Sequence, residues 1–190
     1  SLHDALPILA RKLLDSHGLF DVPVELIGGK LSDHYDPTQR VMRLSEQVYY
    51  GTSVASIGVA AHETGHAYQH QESYSPLIIR NSIVPIVNFS TNASWVIFFL
   101  GFLFGRSSLL NMGILLFSAS VIFQIVTLPV EFNASSRALK VLESTGILYE
   151  NEVKGARSVL KAAAMTYVAA AITAISQLLR LVLLARRRED

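Results

Sequence analysis

The residues of this chain that are best suited to chemistry lie in the segment HETGH, at positions 62–66. On a helix, His62 and His66 project from one face, so both imidazoles can reach a single metal ion. Glu63 is displaced by about 100° around the helix, where its carboxylate can meet a water molecule on the metal. The spacing predicts a hydrolytic zinc site, and the apolar helical pattern around the motif disfavours the alternative of surface histidines.

Such a site needs a third protein ligand from elsewhere in the chain. His70 is eight residues from His62, about 12 Å along a helix, which is too far for one ion. Glu131 directly follows a long apolar run. A carboxylate at the edge of the hydrocarbon core is energetically unfavourable unless it has a functional role. We expect Glu131 to be the third ligand, and Glu143, otherwise an ordinary exposed helix residue, is the rival.

Composition narrows the possible chemistry. The chain of 190 residues has no cysteine, which excludes disulfides, thiolate zinc sites, iron–sulfur clusters and cysteine nucleophiles. Its formal net charge is +1, so nucleic-acid binding has no electrostatic support. Any metal must therefore be held by His, Asp or Glu, and we expect no nucleic acid among the partners.

Hydrophobic residues make up 51% of the sequence and are concentrated in three runs. Residues 81–105 and 107–130 carry no charge and are separated by Arg106, and a third run covers 162–179 and continues to residue 185. A helix of roughly 20 residues crosses a hydrocarbon core of about 30 Å. We expect three transmembrane helices, the first two of which form a hairpin because the polar break around Arg106 is short.

The more polar residues before the first run predict a small folded part. Ala10–Leu14 reads as the end of a helix, Leu31–Tyr35 and Arg40–Leu44 as a β-hairpin, and Ser53–Gln71 as the helix that carries the motif. The hairpin is expected either to offer an edge to an extended peptide or to support the zinc helix. Ser1–Ile8 does not fit this pattern and is expected to be the edge of a fragment.

These patterns divide the chain into four segments and predict a mainly α fold with about three transmembrane helices and a small β-hairpin. The segments are a membrane-proximal catalytic segment with the hairpin and zinc helix (1–80), a transmembrane helical hairpin (81–130), a membrane-proximal helical segment with the third ligand (131–161), and a transmembrane helix with a basic tail (162–190).

Four segments carry a resemblance to a known family: SVASIGVAAHETGHAYQ, LSDHYDPTQRVMRLSE, TLPVEFNASSRAL and TYVAAAITAISQLL. In their order, over about residues 11 to 185, they resemble the YugP-type neutral zinc metallopeptidases of bacterial membranes and, more distantly, the HtpX heat-shock membrane proteases. The resemblance implies an integral membrane, zincin-like metallopeptidase, with His62, His66 and Glu131 as zinc ligands and Glu63 as catalytic acid and base.

Two departures from the resemblance matter. Such proteins would be expected to begin with another membrane helix, which this sequence lacks. Ser135 stands where the HtpX group has Asp, four residues after its ligand Glu, so the support of the ligands must differ. Asn133 and Arg137 are the candidates for that support.

The resemblance implies a membrane-bound, zinc-dependent endopeptidase that hydrolyses peptide bonds of membrane or membrane-proximal proteins. Its cofactor would be Zn²⁺, its partners a polypeptide substrate and the lipid bilayer, and Glu63 would act as general base on a metal-activated water. The alternative is a non-catalytic, zinc-stabilised membrane scaffold or adaptor, which the polar Asn88 and Asn92 would suit. Glu63 argues against it, because a purely structural site has four protein ligands and no use for a base.

We expect the chain to lie in the bacterial cell membrane. Basic residues flank the predicted spans on both sides, with a slight preference for a cytoplasmic catalytic side. The basic residues on the catalytic side are Arg80, Arg137, Lys140, Lys154, Arg157 and Lys161. Those on the opposite side are Arg106 and the triplet Arg186, Arg187 and Arg188.

Overall fold

The computed structural model describes residues 5–187 of the chain, so Arg188 and the first four residues of the segment Ser1–Ile8 lie outside the described residues. The chain is mainly helical with one small sheet, as predicted. In chain order the elements are α1 (Ala5–Asp15), β1 (Val24–Ile27), β2 (His34–Asp36), β3 (Val41–Ser45), α2 (Glu46–Tyr49), α3 (Val54–Gln71), α4 (Ser75–Phe104), α5 (Ser107–Thr145) and α6 (Glu150–Arg186).

The chain divides into two compact units. The first unit comprises Ser1–Tyr74 and Glu131–Ala164, and the second comprises Ser75–Val130 and Met165–Asp190. Helices α5 and α6 each contribute residues to both units. We describe each unit by itself.

The sheet of the first unit has three strands in the order β1-β3-β2. Strands β2 and β3 form the predicted antiparallel hairpin, with a first strand shorter than predicted. Asp33 lies just before β2, and its carboxylate accepts hydrogen bonds from the backbone N–H (2.7 Å) and the hydroxyl (3.0 Å) of Ser45. The parallel pairing of β1 with β3 was not predicted, because the pattern around β1 alternates only weakly and the pairing is long-range.

Helix α3 carries the HETGH segment and runs through the core of the first unit. It begins after Ser53, whose hydroxyl accepts a hydrogen bond from the backbone N–H of Ser56 at 3.1 Å, a common N-cap arrangement. Buried apolar side chains from the surrounding elements pack together in this core; among them are Leu13, Leu14, Met42, Leu44, Tyr68, Ala138, Leu142 and Leu160.

A close approach between α3 and α5 depends on Gly65. A Cβ atom at this position would lie only 3.0 Å from the carbonyl carbon of Ala134, nearer than side chains normally come. The glycine therefore lets the backbones of the two helices come together at the point where α5 presents the buried Glu131 and Ser135 to α3.

The second unit contains the apolar parts of α4, α5 and α6. These three helices are long and apolar enough to cross a membrane, which confirms the prediction of three spans. Gly105, with a positive φ of 64°, ends α4, and the backbone N–H of Arg106 bonds to the carbonyl of Gly101 at 3.0 Å. A Cβ atom at Gly101 would lie 2.7 Å from the backbone nitrogen of Leu110, and one at Gly113 would lie 2.7 Å from the Cβ of Phe98, so α4 and α5 pack closely against each other.

The helices extend beyond the apolar runs on which their prediction rested. Helix α4 begins at Ser75, and α5 continues through Pro129 to Thr145. Proline removes one helical hydrogen bond, but long membrane helices tolerate it when neighbouring groups compensate. Glu131 consequently lies inside a continuous helix, where the apolar pattern alone would have ended one.

We predict that Gly65→Ala destabilises the protein and that Gly58→Ala, in the same helix, does not. The added methyl group at position 65 collides with backbone, which costs about 1–3 kcal/mol. At position 58 it would sit 3.8 Å from the Cβ of Ala156, an ordinary contact, and alanine favours a helix by about 1 kcal/mol over glycine. Thermal unfolding of both variants in the same detergent, followed by circular dichroism, measures the difference. Equal unfolding temperatures would contradict the close approach.

Candidate metal centre

Two imidazoles from α3 and one carboxylate from α5 come together in the first unit. The Nε2 atom of His62 lies 3.1 Å from Oε2 of Glu131, and the Nε2 atom of His66 lies 3.5 Å from the same oxygen. The possible ligand atoms of the three residues all lie within 4.8 Å of one another. The four-residue spacing on α3 thus places both histidines against one carboxylate from a residue about seventy positions later.

The three side chains fit a zinc ion. Ligand atoms about 2.0–2.2 Å from a tetrahedral zinc are separated from each other by roughly 3.4 Å, close to both measured nitrogen–oxygen distances. Two imidazoles and a carboxylate are also the donors of open zinc sites, in which a fourth position is left for water or substrate. Glu131 is only 2% exposed, and a buried carboxylate is unfavourable unless it is paired or coordinates a metal.

Each histidine is held through its second ring nitrogen. Nδ1 of His62 lies 3.1 Å from the hydroxyl of Ser135, and Nδ1 of His66 lies 3.0 Å from the side-chain carbonyl oxygen of Gln69. When Nδ1–H donates to these oxygens, the lone pair of Nε2 points to the common centre. Ser135 therefore supports His62 itself, at the position where the sequence raised doubt.

The support of His66 extends through a chain of side chains. The amide of Gln69 donates to Oδ1 of Asn133 at 2.9 Å, and Nε of Arg137 donates to the same oxygen at 2.7 Å. Arg137 also pairs with Glu72 at 2.7 Å. Asn133 and Arg137 thus reach the site through Gln69, which sequence reasoning did not assign to the site. The sequence did contain one indication of this role: Gln69 is a polar residue one helical turn after His66 on a largely apolar helix.

Glu63 lies beside the cluster, on another side of α3. It is buried, and the backbone N–H of Tyr35 in β2 donates to its Oε2 at 3.0 Å. The hydroxyl of Tyr35 hydrogen-bonds to Nδ1 of His70 at 2.9 Å. The β2–β3 hairpin therefore contacts α3 at Glu63 and at His70. These contacts favour the expectation that the hairpin supports this helix.

The two rival residues lie outside the cluster. Among the described residues, the group that could hold a metal consists of His62, His66 and Glu131. His70 bonds to Tyr35, and the carboxylate of Glu143 is half exposed and pairs with Arg157 at 2.8 Å.

The electrostatics of the site favour positive charge. Burial lowers the pKa of His66, but the hydrogen bond to Glu131 and the negative charges of Glu63 and Glu131 outweigh burial and leave this pKa above its ordinary value. The same carboxylates that stabilise a proton on His66 attract a metal cation, so proton and metal compete for its Nε2 atom.

Fold and site together indicate a membrane metallopeptidase, and comparison with known proteins agrees. Residues 7–186 match the model of a family described as "Putative neutral zinc metallopeptidase", and the chain belongs to this family. It is similar to "Putative membrane protease YugP" of Bacillus subtilis (strain 168), with 55% identity over 181 residues, covering 95% of this chain and 80% of that protein. No solved structure matches the chain significantly. The resemblance predicted from the sequence is therefore confirmed, as is zinc as the family's metal.

We predict that Ser135→Ala weakens zinc binding about 10- to 100-fold, because Nδ1 of His62 loses the oxygen that orients the ring. Ser136→Ala is the matched control. Ser136 is the next residue in the chain, its side chain is exposed, and it takes no part in the contacts described above. Competition with a chromophoric zinc chelator measures both affinities. Equal affinities for the two variants would show that Ser135 does not orient His62.

Proposed function

We propose that this protein is an integral membrane zinc endopeptidase that hydrolyses peptide bonds of membrane or membrane-proximal proteins. The observation that carries the proposal is the convergence of His62, His66 and Glu131 beside a buried Glu63. Its membership of a zinc metallopeptidase family supports the same reaction class.

In this proposal His62, His66 and Glu131 are the zinc ligands. All three offer nitrogen or oxygen ligand atoms. The hydroxyl of Ser135 and the amide oxygen of Gln69 lie beside the Nδ1 atoms, where they can accept Nδ1–H and so favour the tautomer with a free Nε2 lone pair. Three protein ligands leave one coordination position for chemistry, in contrast to a structural site with four.

Glu63 is the proposed general base and acid. Zinc bound at this site supplies Lewis-acid chemistry, which makes water more acidic and a peptide carbonyl more electrophilic. One carboxylate oxygen of Glu63 is held by the N–H of Tyr35, which fixes the orientation of the group. Glu63 accepts a proton from the attacking water and delivers it to the leaving amine nitrogen, so that cleavage yields a carboxylic acid and a free amine.

The proposed location is a bacterial cell membrane, with the catalytic side in the cytoplasm. Three apolar helices and the similarity to a protein named as a membrane protease in Bacillus subtilis support membrane residence. Charge favours the cytoplasmic side only slightly, since cytoplasmic flanks are enriched in Lys and Arg and both sides of the spans carry several basic residues, with somewhat more on the side of Arg80 and Arg137.

We predict that Glu63→Gln lowers hydrolysis of an unfolded membrane protein by about 100- to 10,000-fold while zinc binding is retained. The amide keeps an oxygen that can accept from Tyr35, so the fold is preserved, but it cannot accept the proton from water. Glu143→Gln is the matched control, because this glutamate pairs with Arg157 away from the site, and it should retain the wild-type rate.

Zinc content separates the possible outcomes. His62→Ala should bind well below one zinc per chain, and stoichiometric zinc in this variant would show that the ligand set is wrong. Full hydrolysis by Glu63→Gln would overturn the mechanism. If the wild-type protein bound zinc but cleaved no tested polypeptide, the scaffold or adaptor function would be favoured.

We predict the orientation of α4 from the same distribution of charge. Because the chain has no cysteine, single cysteines can be placed at the exposed residues Ser75 and Arg106, which flank this helix. A membrane-impermeant maleimide should label Arg106→Cys in intact cells, and Ser75→Cys only after permeabilisation. The opposite pattern would place the catalytic side outside the cytoplasm.

A further inference from the structure

His70 is the histidine of α3 that the metal centre does not use. It is half-buried, and its Nδ1 atom lies 2.9 Å from the hydroxyl of Tyr35 in β2. The centroids of the two rings are 5.8 Å apart, and the rings are tilted by 51°. His70 follows Glu63 by seven residues, about two helical turns, so the two side chains lie on the same side of α3. His70 thus shares its side of the helix with the proposed general base.

Tyr35 connects His70 to Glu63 through two of its own groups. Its backbone N–H donates to Oε2 of Glu63 at 3.0 Å, and its hydroxyl bonds to His70. The side chain is buried and packs in the core of the first unit. Burial raises the pKa of Tyr35, so the hydroxyl keeps its proton at neutral pH and can donate it to Nδ1 of His70. Tyr35 is thereby attached to α3 at two points on the same side of the helix.

Strand β2 has few bonds of its own to hold Tyr35 in place. It lies at an edge of the sheet and pairs with β3 over only three residues, His34–Asp36. Short edge segments with few backbone hydrogen bonds open easily. The N–H of Tyr35 is directed towards α3, so its position depends on how well the residue is held. The hydrogen bond to His70 holds it, because it fixes Tyr35 to a helix of 18 residues.

We propose that His70 is a positioning residue: by holding the hydroxyl of Tyr35, it fixes the N–H that orients the carboxylate of Glu63. This inference rests on the proposed function, in which Glu63 is the general base. An N–H bonded to Oε2 leaves Oε1 to face the water, and displacement of a reacting group by about 1 Å can lower a rate by about 100-fold. His70 acts on the reaction through Tyr35 and not as a metal ligand.

The variant His70→Phe tests the proposal, because it keeps a ring against Tyr35 but removes the nitrogen that bonds to the hydroxyl. It should lower kcat for an unfolded membrane protein by about 10- to 100-fold, with KM and zinc affinity changed by less than about threefold. His70→Asn places an amide near the position of Nδ1 and should recover most of kcat. His17→Phe is the matched control, since His17 is exposed and its stacking on Tyr68 is preserved by phenylalanine; it should keep the wild-type kcat.

The variant Tyr35→Phe removes the same hydrogen bond from the other side. If the two residues act through that bond, the double variant Tyr35→Phe with His70→Phe should have the kcat of either single variant, because the two losses are not additive. A wild-type kcat in His70→Phe, additive losses in the double variant, or failure of His70→Asn to recover activity would overturn the proposal. Loss of zinc from His70→Phe would also overturn it, since the effect would then lie at the metal.

Amide hydrogen exchange gives a measurement that does not depend on peptidase activity. In the whole chain in detergent, His70→Phe should speed exchange of the Tyr35 N–H by about 3- to 10-fold, the range expected for the loss of one hydrogen bond. His17→Phe should leave this exchange unchanged. Unchanged exchange in His70→Phe would overturn the proposal whether or not the wild-type protein cleaves polypeptides. Faster exchange in a protein that cleaves none would support the positioning of Tyr35 and count against the peptidase function alone.

Discussion

The contact of one buried carboxylate with two imidazoles is the interaction on which the rest of the site depends. Glu131 is almost fully removed from solvent, and its Oε2 lies against Nε2 of both His62 and His66. An isolated charge in such a place would be strongly unfavourable. A metal cation shared by the three side chains, or protons on the imidazoles in its absence, supplies the compensating charge. The surrounding fold holds these charges at short range instead of separating them.

The two helices that supply the proposed ligands also supply the side chains that hold them, with the spacing of a single helical turn. On α5, Glu131 meets Nε2 of His62 and Ser135 meets Nδ1 of the same ring. One face of one helix therefore fixes both nitrogens of that imidazole. On α3, Gln69 does the equivalent for His66 from three residues away. This geometry requires α5 to remain helical through position 135 and to approach α3 closely, which explains the glycine at position 65.

Local patterns in the sequence predict the parts of this structure that depend on neighbouring residues. The motif helix, its start after Ser53 and the three spans follow from helical spacing, capping and apolar run length. The position of Glu131 beside the two histidines was predictable because a carboxylate at the end of an apolar run is unfavourable unless it has a function. The parallel pairing of β1 and the role of Gln69 depend on residues far apart in the chain, so no local pattern carries them. The continuity of α5 across Pro129 was not predicted for a related reason, because the apolar run on which that span was predicted ends at residue 130.

Polar residues inside apolar helices have different environments in this chain, and the difference bears on what each can do. Glu131 is buried and bonded within its own unit, so its chemistry is directed inward, at the two histidines. Asn88 and Asn92 are exposed on the outer face of α4, where their own unit offers them no hydrogen bond. Hydrocarbon cannot satisfy an amide, so these two side chains differ from the carboxylate, whose partners lie within the described residues. The same physical penalty applies to both kinds of polar residue, and the described fold offsets it for Glu131 by placing two imidazoles against its carboxylate.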